Sequence, residues 1–234
     1  GFEIVEDDFV ESRNLDQIDR VEDRHLGMRF SAQVGYAGQG WGSSDDAWIV
    51  RSNYHDSLLR TKKSTIVFDA DLGGRIEGGA ARNMQLSLSS RYDRRVTEHQ
   101  LFHAGVVASV GTHLDLDNPS YLGGDSGLRG YPLRYLGGDT SLLLTVEQRI
   151  FTDWYPFRLF NVGGAVFADA GRTWGADPAG GPALGWLRDV GFGLRIGNSR
   201  SSVGRMIHID LAFPLDGEAD ISSVQLLVEA KKGF

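Results

Sequence analysis

Period-two alternation is the feature that most constrains this chain. In ten segments, each of about ten residues, apolar side chains take alternate positions and polar, charged or glycine residues take the others. The clearest sets Leu26, Met28, Phe30, Ala32, Val34 and Tyr36 against Gly27, Arg29, Ser31, Gln33 and Gly35. Another sets Ile66, Phe68, Ala70 and Leu72 against Asp69 and Asp71. Like segments begin at Trp48, Met84, Phe102, Leu142, Val166, Val190, Ile207 and Val224. Phe2 to Val5 reads as the end of an eleventh, and no segment shows a helical period.

A β-sandwich also alternates, but its inner face packs dry and its outer face is wet. Here one face is apolar through all ten segments, and the other carries Arg, Asp, Glu, His and Gly. That division suits lipid outside and a wet, charged interior. The predicted fold is therefore all-β, a transmembrane antiparallel β-barrel of ten or eleven strands. Residues 1–24 read as a partial strand followed by a polar linker or long turn, and residues 25–234 as the barrel. Connections alternate fairly regularly between short and long from Ala37 onward, with short links such as Ser57–Ser64 and long ones such as Thr112–Thr140. Short periplasmic turns and long outer loops are the rule in outer-membrane barrels.

Composition agrees. Hydrophobic residues make up 41% and mean hydropathy is −0.23, as for a chain with one apolar and one polar face. The chain has 31 glycines against 6 prolines, which suits bent, closely packed strands. Its net charge of −7 disfavours nucleic acid as a partner. There is no cysteine, hence no disulfide or thiolate chemistry. No signal sequence opens the chain at Gly1, so an exported barrel has lost its leader or is part of something longer.

The stretch Gly123-Gly124-Asp125-Ser126-Gly127-Leu128-Arg129-Gly130-Tyr131-Pro132 interrupts the alternation. Glycine lets it turn sharply and presents one arginine among flexible neighbours. The residues alone fit a solvated outer loop with a surface arginine. They also fit a loop (residues 113–140) folded into the barrel, with the Arg129 fork pinned to the interior carboxylates Glu147 and Asp169.

Leu128-Arg129-Gly130-Tyr131 resembles the lid-loop signature of the bacterial surface-antigen superfamily: an aliphatic residue, Arg-Gly, then Phe or Tyr. That superfamily includes the outer-membrane barrel insertase BamA, its relative TamA and the two-partner secretion transporters. Phe167-Ala168-Asp169-Ala170-Gly171 is similar to its strand motif Phe-x-Asp-x-Gly. Gly191 to Arg195 and Ile209 to Leu215 resemble further family segments, and Phe234 resembles the C-terminal aromatic assembly signal. The resemblance covers about Tyr121 to Phe234. It implies contact of Arg129 with Asp169 and Glu147, and makes the strands seen here the later part of a sixteen-stranded barrel.

Other signals read as structural. The six histidines (25, 55, 99, 103, 113 and 208) are scattered. On a strand, His99 and His103 would lie about 13 Å apart, too far to share a metal. Asp69 and Asp71 read as interior charge. Gly-Asp-Ser-Gly at residues 124–127 lacks the elbow and paired base of a hydrolase. The tryptophans 41, 48, 154, 174 and 186 lie near strand ends, as in aromatic girdles. The expectation is a non-enzyme of the bacterial outer membrane with no cofactor, metal or small-molecule substrate. Its partners would be lipid and unfolded outer-membrane or secreted proteins, which it helps to insert or translocate. The alternatives are an anchor for a fused N-terminal passenger, and a simple channel or surface antigen.

Overall fold

The computed structural model describes residues 1–13, 15, 18, 21–61, 63–115, 119–175, 177, 184–198, 206–218 and 221–231. The protein is all-β. Its first strands are β1 (Phe2–Val5), β2 (Phe9–Arg13), β3 (Val21–His25), β4 (Arg29–Ala37), β5 (Ala47–Arg60), β6 (Ser64–Glu77), β7 (Ala80–Thr97) and β8 (Gln100–Thr112). There follow β9 (Ser120–Leu122), β10 (Leu136–Gly138), β11 (Thr140–Phe151), β12 (Phe160–Trp174), β13 (Leu187–Asn198), β14 (Met206–Pro214) and β15 (Gln225–Lys231). No helix is long and apolar enough to cross a membrane.

Eleven strands form one antiparallel sheet in the order β1-β4-β5-β6-β7-β8-β11-β12-β13-β14-β15. The sheet is open: among the described residues no ladder joins β1 to β15. Register follows the alternation, so side chains of one face line up across strands. Glu147, for example, stands opposite His103 on β8 and Phe167 on β12.

Burial is inverted relative to a water-soluble sandwich. Val34 and Leu226 are 65% and 64% exposed, and Phe192, Leu194, Val166 and Val228 lie open on the same outer face. Arg195 and Asp210 are 0% and 1% exposed. The inner face curls around these charges. A flat sheet would hold β11 and β14 about 14 Å apart. Yet Nη1 of Arg129 lies 2.7 Å from Glu147 on β11 and 3.7 Å from Asp210 on β14.

Two further pieces sit outside the main sheet. β9 and β10 pair within the loop between β8 and β11. β2 and β3 form a hairpin within the segment read as linker or long turn. Between its strands, Leu15 and Ile18 pack with Leu101, Phe151 and Met206 at the end opposite that loop. Asn161 donates to the Ile18 carbonyl at 3.0 Å, and Arg24 of β3 meets Asp93 of β7 at 3.3 Å. Ile18→Ala removes buried contacts without collapsing the rigid strands around them. It is expected to cost about 2 kcal/mol, read as a lower thermal unfolding midpoint with the sheet's circular dichroism unchanged.

Candidate functional site: the inward-folded loop and its charged seat

The loop after β8 returns across the concave face rather than into solvent. β9 and β10 lie against β12, and β9 also against β11. A single 3-10 turn at Gly124–Ser126 reverses the chain, with the Ser126 hydroxyl donating to the Gly123 carbonyl at 2.9 Å. Leu122, Leu128, Tyr131, Leu136 and Leu187 then form a buried apolar cluster. That burial offsets the entropy of ordering a long loop.

Each residue of Leu128-Arg129-Gly130-Tyr131 has a distinct seat. Leu128, fully buried at φ +54, sits over Gly171. A Cβ added at Gly171 would lie 3.0 Å from Leu122 and 3.2 Å from Leu128, so that glycine makes room for the loop. Arg129 donates through Nε and Nη2 to Asp169 at 2.8 and 3.1 Å, and through Nη1 to Glu147 at 2.7 Å. Its guanidinium lies over the Phe167 ring, 3.3 Å from the centroid. The two acids together hold the Arg129 proton more firmly than usual, against the effect of burial. Gly130 passes so close to β13 that a Cβ there would lie 2.6 Å from the Asp189 Cβ and 3.0 Å from the Pro214 nitrogen. The Tyr131 hydroxyl donates to the carbonyls of Arg188 and Asp216 at 2.8 and 3.0 Å. Burial raises the pKa of that hydroxyl, which keeps it a donor. Arg188 in turn grips Asp216 bidentately at 2.9 and 2.8 Å, and holds its carboxyl below the usual range.

Around this seat lies a second tier that the sequence reading assigned no role. Arg195 pairs with Asp210 and lies 3.5 Å from Glu147. Arg149 donates to Glu147 at 3.0 Å. Arginines 129, 149 and 195 thus share carboxylates 147, 169 and 210 in one network. A buried carboxylate is tolerated at such positions because cations and donors surround it. The inner-face glycines of β13 leave the space: the Cβ position of Gly191 is occupied by the Phe167 ring. The readable signal for Arg195 and Asp210 was their place on the charged face of two adjacent strands, where the register opposes Arg195 to His208.

Asp189 is different. It is 1% exposed, borders Gly130, and forms no ion pair among the described residues. Asp169 carries like charge beside it. Asp189→Asn keeps the shape and puts a neutral amide in place of a buried carboxyl that has no ion-pair partner among the described residues. The expected result is an unchanged or slightly raised unfolding midpoint, whereas Asp169→Asn should lower it.

The remaining sequence candidates are dispersed. His99 lies in the turn between β7 and β8 rather than on a strand, 3.4 Å from Asp153. His103 faces inward, 2.8 Å from Asp93. Asp69 accepts from His55 at 2.6 Å, and Asp71 accepts from Asn53. His208 is buried and lines a cavity of about 360 Å³ with His103, Ser126, Glu147 and Arg149. Among the described residues no three His, Cys, Asp or Glu side chains are grouped to hold a metal ion. Trp41, Trp48, Trp174 and Trp186 mark the end of the sheet that carries the loop, and Trp154 the opposite end. Phe234 lies outside the described residues. No protein-family model and no curated protein matches this sequence.

Proposed function

We propose that this chain is the later part of an outer-membrane β-barrel of the surface-antigen superfamily, and that it assists insertion or translocation of other proteins at the bacterial outer membrane. The observation that carries the reading is Arg129: a loop arginine drawn into a charged interior and shared by Glu147 and Asp169. The outer face supports it. Long rows of exposed valine, leucine and phenylalanine find their solvent in hydrocarbon.

In this reading the loop is a structural lid. Its arginine fixes the interior, and the β1 and β15 edges are the place where the wall opens. Neither step requires bond chemistry, so no residue here is assigned a catalytic role. The clients are unfolded outer-membrane or secreted proteins, and the surrounding partner is lipid. A plain open channel is the weaker reading, because the lid and the β2–β3 hairpin occupy both ends of the concave side. Planar-bilayer recordings separate the two. The lid reading expects low wild-type conductance that rises when Arg129 is replaced. A large, steady wild-type conductance that Arg129→Ala leaves unchanged favours the channel.

A further inference from the structure

The outer face carries a groove of about 240 Å³ toward the lid end. Ala168 and Ala170 of β12 form its floor, between Leu144 and Val146 of β11 and Val190 of β13. Two strand spacings, about 10 Å, separate the walls. The alanines therefore leave a slot along β12 with the width of a hydrocarbon chain.

The lid-side end of this slot is cationic and aromatic. The register sets Arg188 beside Ala170, and Arg172 follows Ala170 on the same face of β12. Trp174 and Trp186 meet edge to face at 6.2 Å, and the Arg172 guanidinium lies 5.1 Å from the Trp174 ring. Arg188 is already engaged by Asp216. Arg172 is not: its Nε is buried without a hydrogen-bond partner, and no carboxylate lies in ion-pair range among the described residues. A buried guanidinium donor left unpaired is costly, and its fork geometry matches a phosphate. Tryptophans beside arginines at the rim of an apolar band are the arrangement that meets lipid headgroups.

We infer that this groove seats one acyl chain of an anionic, phosphate-headed lipid, with Arg172 holding the headgroup phosphate at the lid-side rim. The inference rests on the membrane reading above and adds a particular lipid site to it. Methylenes of the chain cover Ala168 and Ala170, while the Arg172 guanidinium meets the phosphate at the rim.

The test uses the chain in maltoside micelles, with lipids retained by the protein counted by native mass spectrometry. Phosphatidylglycerol is expected to be retained in preference to phosphatidylcholine. Arg172→Gln should cut that preference about fivefold, the factor one arginine supplies near an anionic surface. Ala170→Leu, on the outer face and away from the lid, should fill the slot and reduce retention of both lipids. Equal retention of the two lipids by the wild type overturns the inference, as do variants that match the wild type. Flotation with phosphatidylcholine vesicles keeps the two readings apart. A chain that floats but shows no anionic preference loses only the lipid site. A chain that stays in buffer and never floats overturns both.

Discussion

Arg129→Ala is expected to release the lid while leaving the sheet assembled. The substitution strips Glu147 and Asp169 of their shared cation and removes the guanidinium from the Phe167 ring. Both acids are nearly sealed from solvent, at 6% and 1% side-chain exposure. Removing one partner of a buried pair costs on the order of 3–5 kcal/mol. Arg149 and Arg195 still reach Glu147, so the lower end of that range applies. The loss falls on the loop, because the eleven-stranded ladder makes no use of the Arg129 side chain. Limited proteolysis should cut within residues 119–139 in the variant and spare them in the wild type, and client insertion should fall with it. Arg129→Lys should restore little, since one ammonium cannot span Asp169 and Glu147 as the fork does. A variant loop as resistant as the wild type would contradict this account.

Gly130→Val should displace the same loop without removing any charged group. Its new side chain meets the Asp189 Cβ and the Pro214 backbone nitrogen, and neither is the free end of a flexible chain. Overpacking of this kind costs about 1–3 kcal/mol. The loop must lift, which withdraws Arg129 from its acids and the Tyr131 hydroxyl from the carbonyls of Arg188 and Asp216. The proteolysis pattern of Gly130→Val should therefore match that of Arg129→Ala. A protected loop in Gly130→Val beside an exposed one in Arg129→Ala would mean that charge alone holds the lid and that the close approach is incidental.

The strands were legible because a half-buried sheet repeats every two residues, and the repeat survives whichever solvent lies outside. The contact of Arg129 with Glu147 and Asp169 was readable as a possibility from residue type and face, and the resemblance selected it. What escaped depends on space rather than pattern. The β2–β3 hairpin is short and charged at Glu11, Glu22, Asp23 and Arg24, so it reads as a linker until Leu15 and Ile18 find a buried cluster. Tyr131 is held by backbone carbonyls, which no sequence advertises. Arg195 and Asp210 fall in segments that resemble the family but carried no role there, and only the curl of the sheet brings them into the network around Arg129. His99 was placed on a strand because the β7–β8 turn is tight and carries no glycine or proline.

The chain has no cysteine, so single cysteines report cleanly on each face of the sheet. Spin labels at Val146, Val166 and Leu194 should be open to oxygen dissolved in lipid and closed to a water-soluble nickel chelate, with labels at Thr145 and Ser87, which line cavities of the inner face, showing the reverse. Labels on the valine and leucine positions that respond to the chelate, in a protein that stays monomeric without detergent, would contradict a lipid-facing wall around a charged interior.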